Sequence, residues 1–484
     1  MFNKLALLGA LAGAFLPLAP ARTWAEATSL SQGELRLSVR EAVLMALEHN
    51  PSLKVQRLNP ALLRTSEQEE QAAFLPRLSA ELSVSRSLSG TVGDSPEGRL
   101  SAGLSELLPS GTEVEASVSG GSGNQQSAGL DLKLTQSLLQ GAGATFNLAR
   151  VNQARLEAFG SRYELKGFAE SLVAEVETAY WEHYLARTQV EIYRDSLRLA
   201  ERQLQETLER IQVGKLSQSE KAASAVEVAS RRGALLAAEN RREASRLKLL
   251  SLILPQGGPW EASVELLDRP PEAQEKLEEV GPHVEMGLRF RPDLNQARLS
   301  LQRGELELAR TRNGLLPKLD LFISLGKTAY ADSFSEAFRQ LLEEPYGWSA
   351  GLSFEYPLGG RAAEAKHERA RLSQSGLEEG MQNLKRLIER DVRTAHLELS
   401  RAAEQTRSDT MIRLLQEEKL QAESEKFRSG KSSTFLVAQS QRDLLNSQLA
   451  EVEAAVSYLR AMISLYRLEG SLLERRGISL PEAE

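Results

Sequence analysis

The 484-residue sequence contains no cysteine. Disulfides and thiolate metal sites are therefore excluded. So is the lipid anchor of a bacterial lipoprotein, whose acyl chains need a cysteine. Histidine is scarce: the five are His49, His183, His283, His367 and His396. None stands at ligand spacing from another, and no HExxH pair exists. His183 falls on the apolar stripe of a helical pattern and reads as a packed residue. No Ser-His-acid constellation, P-loop or dinucleotide motif is present. Gly120-Gly121-Ser122-Gly123 is followed by neither a helix start nor a lysine, so it resembles a flexible loop and not a phosphate cradle. The chain reads as no enzyme, with no cofactor and no metal implied.

Long apolar runs are equally rare. The one near the start, Leu5 to Ala19, is interrupted by Pro17 and preceded by Lys4. Thr23-Trp24-Ala25 and Ala25-Glu26-Ala27 offer small residues for cleavage. Residues 1–25 therefore read as a signal peptide, too short to span a bilayer. No later segment approaches 18 apolar residues, so no transmembrane helix is expected. The formal net charge is −7. Losing Lys4 and Arg22 with the signal leaves 57 cations against 66 acids, a net charge of −9. That balance offers no basic face to a nucleic acid.

Proline is unevenly spread, and its pattern reveals an internal repeat. Asn50-Pro51-Ser52-Leu53 has a counterpart in Arg291-Pro292-Asp293-Leu294. Phe74-Leu75-Pro76-Arg77-Leu78 has one in Leu315-Leu316-Pro317-Lys318-Leu319. Both pairs of prolines lie 25 residues apart, room for a helix of about 20 residues. A strand pattern follows each second proline. Leu78, Ala80, Leu82 and Val84 alternate with polar residues, and Leu319, Leu321, Ile323 and Leu325 do so less strictly. Return strands carry Leu130, Leu132 and Leu134 in copy one and Trp348, Ala350, Leu352 and Phe354 in copy two. One apolar and one polar face describes a half-buried strand, and equally a membrane-barrel strand. The strands are expected at about 77–88, 128–138, 318–327 and 347–357. Tyr346, Trp348 and Tyr356 suit either a membrane-interface belt or internal packing.

Each return strand ends in a glycine turn, Gln140-Gly141-Ala142-Gly143 or Leu358-Gly359-Gly360. No proline then occurs until Pro255 or Pro481. Ala186, Val190, Tyr193, Leu197, Ala200, Leu204, Leu208 and Ile211 step by three or four, as do Leu377, Met381, Leu384, Ile388, Val392, Ala395 and Leu399. These are coiled-coil-like stripes. A helix over residues 144–213 would be roughly 105 Å long, about the depth of a periplasm. Runs such as Glu417-Glu418-Lys419 read as its solvated face. Each long helix stops at one glycine, Gly214-Lys215 or Gly430-Lys431. Serine follows, then a helix from about Ser217 to Leu254 and from about Ser433 to Arg475. Glycine C-caps and serine N-caps make tight helical hairpins, so Gly214 and Gly430 are expected as tips at one end of the molecule.

This organises the chain as signal 1–25, repeat one 26–255, a linker 256–282 with short elements against the middle of the helices, repeat two 283–477 and a tail 478–484. Repeat one carries an insertion, 89–127. Within it Leu100, Ala102 and Leu104 precede the turn Pro109-Ser110-Gly111, and Val114, Ala116 and Val118 follow. An external loop and a lengthened hairpin both fit.

With these motifs the mature chain, from about Leu37 to Gly477, resembles the TolC-type outer-membrane efflux and secretion channels. The carriers are the duplicated proline starts and corners, Gln136-Ser137-Leu138-Leu139-Gln140-Gly141 with Tyr356-Pro357-Leu358-Gly359-Gly360, and the two Gly-Lys tips. The resemblance implies a mainly α chain with a β-barrel portion, a tandem repeat of helix, two-strand hairpin and long helical hairpin. It implies a homotrimer whose protomers share a twelve-stranded barrel in outer-membrane lipid, continued by a periplasmic helical tunnel. It also implies a periplasmic adaptor and an inner-membrane pump docking at the tips. Physics asks for oligomers independently, because four strands cannot close a barrel and an open edge cannot face lipid. The family often places an acid six residues after the tip glycine. Here that residue is Glu220 in copy one, but Leu436 in copy two, and the often acidic ninth position is Gln439. The resemblance therefore implies one carboxylate ring at most. Glu220 also fits as a solvated first-turn acid favoured by the helix dipole.

Two other readings compete. A periplasmic adaptor predicts one helical hairpin flanked by compact β domains. An exported coiled-coil scaffold leaves the four alternating strands unexplained.

Overall fold

A computed structural model describes residues 34–85, 97–123, 125–214, 216–254, 258–273 and 277–479. The signal 1–25, the strand end 86–88, the start of the insertion at 89–96, Lys215, and parts of the linker and tail lie outside the described residues.

Each repeat opens with two helices joined at a proline. In copy one these are α1 (Val39–His49) and α2 (Pro51–Gln56); in copy two, α7 (Val280–Phe290) and α8 (Pro292–Asn313). Proline suits the first helical turn, where its missing N–H has no partner to lose. At the first joint the Asn50 side chain accepts from the backbone N–H of Ser52 and Leu53 at 3.0 and 3.2 Å. The following leucines, Leu53 and Leu294, are both completely buried. The expected single helix up to Pro76 is broken in copy one. It restarts as α3 (Asn59–Gln71) because Pro60 can neither donate to the helical ladder nor tolerate the preceding turn. Copy two has no such proline, and α8 runs unbroken for 22 residues.

Past the corners at Pro76 and Pro317 the chain enters one antiparallel sheet. Its strands are β2 (Arg77–Ser85), β3 (Glu97–Leu107), β4 (Thr112–Ser122), β5 (Gln126–Ser137), β7 (Lys318–Ala331) and β8 (Gly347–Glu355), paired in that order. The four-strand contribution implied by the resemblance is therefore corrected to six. Insertion 89–127 supplies β3 and β4, which stand between β2 and β5 in a continuous ladder. The linker also holds a strand. β6 (Ser263–Leu266) pairs in parallel with β1 (Glu34–Leu37) at the start of the described chain.

From β5 a short α4 (Ala144–Asn147) leads into α5 (Ala149–Gln212), and from β8 the chain enters α10 (Arg361–Arg428). At 64 and 68 residues these helices are about 95 to 100 Å long. The returns are α6 (Ser219–Ile253) and α11 (Thr434–Leu468). The expectation that α11 continues to Arg475 is corrected: the helix ends at Leu468, and α12 (Leu472–Arg475) follows a turn at Gly470.

Four helices run side by side at every level. Near the sheet they are α3, α5, α8 and α10; near the tips, α5, α6, α10 and α11. Ion pairs mark the contacts, including Arg155 with Glu67 at 2.9 Å, Arg194 with Glu239 at 2.9 Å and Lys419 with Asp443 at 2.8 Å. The dense core is confined to the middle. It gathers α1, the centres of α5 and α10, the ends of α6 and α11, and the β1–β6 pair around Tyr180, Leu249, Ile388 and Ile463. Tyr180 stitches the small sheet to α5, its hydroxyl donating to the Leu37 carbonyl at 3.0 Å. The molecule exposes 31406 Å², against about 18,000 Å² for a compact monomer of 53.3 kDa.

Both tips turn through glycine in the left-handed region, Gly214 at φ 75° and Gly430 at φ 74°. At the second, Gly430 N–H donates to Phe427 and Lys431 N–H to Lys426, a Schellman closure. A Cβ on Gly430 would meet nothing within 4 Å, so only backbone conformation demands glycine there. Gly430→Ala should cost about 1–2 kcal/mol. Amide exchange by mass spectrometry should quicken at the tip, with the centre of α10 unchanged.

Candidate functional site

The sheet has two chemically different faces. The register aligns Leu82, Leu100, Gly120, Ala128 and Ala329 on one side, with Leu78, Leu104, Ala116, Leu132, Leu325 and Trp348 in another row of the same side. The opposite side carries Glu81, Ser101, Ser119 and Gly129 in one row and Ser105, Glu115, Lys133 and Ser324 in another. The apolar side is uncovered: Leu78 is 81% exposed, Leu82 75% and Trp348 76%. Tyr346 and Tyr356 are exposed as well. Strands of 9 to 14 residues match the 9–11 that a tilted strand needs to cross a bilayer.

One helix does cover part of this side. The amphipathic α9 (Phe334–Glu343), between β7 and β8, buries Ala337 and Leu341 on Ala128 and Ala329. It sits at the end of the sheet away from the long helices. The sequence reading missed it. The spacing of Phe334, Ala337, Phe338, Leu341 and Leu342 carries its signal.

At the far end the two tips touch. Thr434 Oγ1 donates to the Glu220 carboxylate at 2.8 Å, and the Arg210 guanidinium stacks over the Phe427 ring at 4.2 Å. Ser433 caps α11 by accepting from the Leu436 N–H, whereas Gln218 and not a serine stands at the cap of α6. A cavity of about 550 Å³ between the hairpins is lined by Glu220, Thr434, Phe435, Gln441 and Arg442, among others. Leu436 and Gln439 are exposed on α11 and do not line it. Of the residues read from sequence, the fold thus half-buries Glu220 against the other hairpin and leaves Lys431, Leu436 and Gln439 facing out. Sequence reasoning missed Thr434, Arg210 and Phe427. Nothing local links Glu220 to a threonine 214 positions away.

The middle of the helices holds buried charges. Arg476 clamps Glu177 with two hydrogen bonds of 2.6 and 2.8 Å, tying the chain beyond α12 to α5. Burial pushes the Glu177 carboxyl up, and Arg476 opposes it. Glu469 is wholly buried and meets His283 at 2.5 Å and Arg475 at 3.0 Å. His183 is buried, with Nδ1 2.9 Å from Ser245 Oγ. Burial, then Arg187, Arg242 and Arg246, lower its pKa to about 4. It is therefore a neutral packed side chain near neutral pH. No group of three or more potential metal-binding side chains occurs among the described residues.

Glu170 is a second buried carboxyl shifted upward. Burial raises its carboxyl to about 7, only partly opposed by Lys166 at 3.9 Å. A carboxyl whose folded pKa exceeds its unfolded value binds more protons when folded, so stability falls as pH rises from about 4.5 through about 7. Glu170→Gln should match the parent near pH 5 and unfold at a higher temperature by pH 8. A scan of thermal unfolding against pH reads the difference.

A sheet with an open apolar side, continuous with two helical hairpins about 100 Å long, is the build of an outer-membrane channel protein. The chain belongs to the outer membrane efflux protein family, whose model matches residues 43–253 and 285–471. Solved structures of the same fold include a membrane protein from Pseudomonas aeruginosa, with 18% identity, 89% of this chain and 90% of that one covered, and a TM-score of 0.70. The CmeC outer membrane channel of Campylobacter jejuni follows at 15% identity, 90% and 86% coverage and a TM-score of 0.68. The open state of the Neisseria gonorrhoeae MtrE outer membrane channel gives 18%, 90%, 89% and 0.65. No curated protein matches the sequence. The chain is an outer-membrane efflux channel protein whose helices extend into the periplasm.

Proposed function

We propose that three copies of this chain close their sheets into one barrel and bundle their helices into one tunnel, forming a passive exit duct. The repeats 26–255 and 283–477 each supply one helical hairpin to it. A periplasmic adaptor and an inner-membrane pump meet the duct at the tips around Gly214 and Gly430, as in tripartite efflux or type I secretion. The pump supplies energy and cargo choice. The observation that carries this reading is the pair of open sheet edges, β2 and β8, flanking an uncovered apolar side. Hydrocarbon leaves no water for unpaired edge groups, so the edges must pair between copies. β2 runs away from the helices and β8 towards them, and both have nine residues. Edge joining edge therefore continues the antiparallel pattern. The protein should appear in outer-membrane fractions as a detergent-stable trimer by light scattering. Recovery as a soluble periplasmic monomer overturns the reading.

Three copies bring three Glu220 carboxylates towards one axis, each held by Thr434. The ring attracts cations at the tunnel's narrow end. Glu220→Gln should lower cation over anion permeability, seen as a shifted reversal potential in planar bilayers under a salt gradient. An unchanged potential would leave Glu220 as a link between hairpins only.

A further inference from the structure

The extra hairpin β3–β4 changes the expected size of the exit. We propose that the barrel of this protein closes with eighteen strands, six from each of three copies, and has a bore about one and a half times as wide as a twelve-stranded barrel. The proposal rests on the trimeric duct above.

Three observations place the hairpin inside the membrane wall and not outside it. First, its alternation is in phase with its neighbours. Ala102 stands opposite Ala80 and Val118 on the apolar side, and Ser101 opposite Glu81 and Ser119 on the polar side. A loop in water has no cause to keep one face apolar across four strands. Second, β3 and β4 have 11 residues each, enough to cross the bilayer at a barrel tilt. They pair with β2 and β5 from Arg77–Ser105 at the helix end to Gly121–Ser127 at the other. Third, the turn between them docks on the junction with the helices. Gly143 N–H donates to Ser110 O at 3.0 Å, Ser137 N–H to Gly111 O at 3.1 Å, and Asn147 Nδ2 to Pro109 O at 3.3 Å. A Cβ on Gly111 would lie 2.4 Å from the Gly141 carbonyl oxygen, so the fit admits only glycine. An inserted pair of strands preserves the up-and-down order, so the wall can still close.

The circumferences agree with this count. Four helices per copy at each level give twelve around the tunnel. At 8–10 Å between axes that is roughly 95–120 Å. Strands about 4.8 Å apart and tilted by about 40° each occupy about 6.3 Å of rim. Eighteen of them span roughly 113 Å, and twelve only about 75 Å. With eighteen, the barrel continues the helical tunnel with no waist at the junction. The tips, not the barrel, then set the largest solute that leaves. The polar side facing the bore, with Ser101 and Ser119 in one row and Glu115 and Lys133 in another, suits hydrated cargo.

Because the chain has no cysteine, single introduced thiols report without background. Ser101→Cys and Ala102→Cys are made in the full-length protein, and copy number is measured by light scattering in detergent. In liposomes, Ser101→Cys should react with a charged, water-soluble maleimide at least tenfold faster than Ala102→Cys. A fluorophore at position 102, and not at 101, should be quenched by brominated lipid. Projection images of the purified trimer by electron cryo-microscopy should count eighteen strands. A trimer in which both positions label alike, or which shows twelve strands, overturns this barrel while the trimeric duct stands. Any other copy number overturns both.

Discussion

Every backbone donor and acceptor in hydrocarbon must find a partner within the protein, and the architecture follows from that requirement. A six-stranded sheet satisfies its interior strands and leaves β2 and β8 with one unpaired edge each. No side chain can repair this, because the groups belong to the main chain. In the proposed assembly the remedy is another copy. The apolar side, uncovered in one chain by Leu78, Leu82 and Trp348, is stable against lipid and against little else. The single protomer is thus complete in its hydrogen-bonded elements and incomplete in its surroundings.

Stability is correspondingly uneven. The packed core sits midway along the helices, where the helix starts, the small β1–β6 sheet and α12 converge. Above and below it the helices lie side by side with much of their surface in water. They are joined by ion pairs such as Arg194 with Glu239 and Lys419 with Asp443. Exposed pairs contribute roughly 0–1 kcal/mol each, so they align the helices more than they hold them. The middle acts as the anchor from which the tips and the sheet strands extend. Its buried charges are mostly paired, as Glu177 is with Arg476. At both Glu177 and Glu170, burial outweighs the neighbouring cation and raises the carboxyl.

What the sequence disclosed was local and duplicated. Pro51 and Pro292 mark helix joints because proline has few places to go. Gly214 and Gly430 mark tips because only glycine takes a left-handed turn without strain. What it concealed was non-local. The insertion's alternation was visible at Leu100, Ala102 and Leu104, but whether β3 belonged to the sheet depended on its register against Leu78, Ala80 and Leu82. Strand phase between segments is not written within either one. The pairing of β1 with β6 joins two four-residue strands far apart in the chain, too short for periodicity to show. Glu220 meets Thr434 only because both hairpins turn at the same height. Lys431, Leu436 and Gln439 were legible as tip residues but not as outward-facing ones.

The duplication at the tips has a consequence for symmetry. In the proposed trimer, three copies present six tips, alternately of the Gly214 and the Gly430 kind. Both kinds turn through a left-handed glycine, with φ of 75° and 74°, so the six turns share one backbone conformation at that residue. The side chains of this ring are not sixfold. One kind carries Glu220, half-buried, and the other carries Leu436, exposed. A sixfold partner would meet two classes of site in alternation. Only a rotation by one third of a turn leaves the chemistry of the ring unchanged.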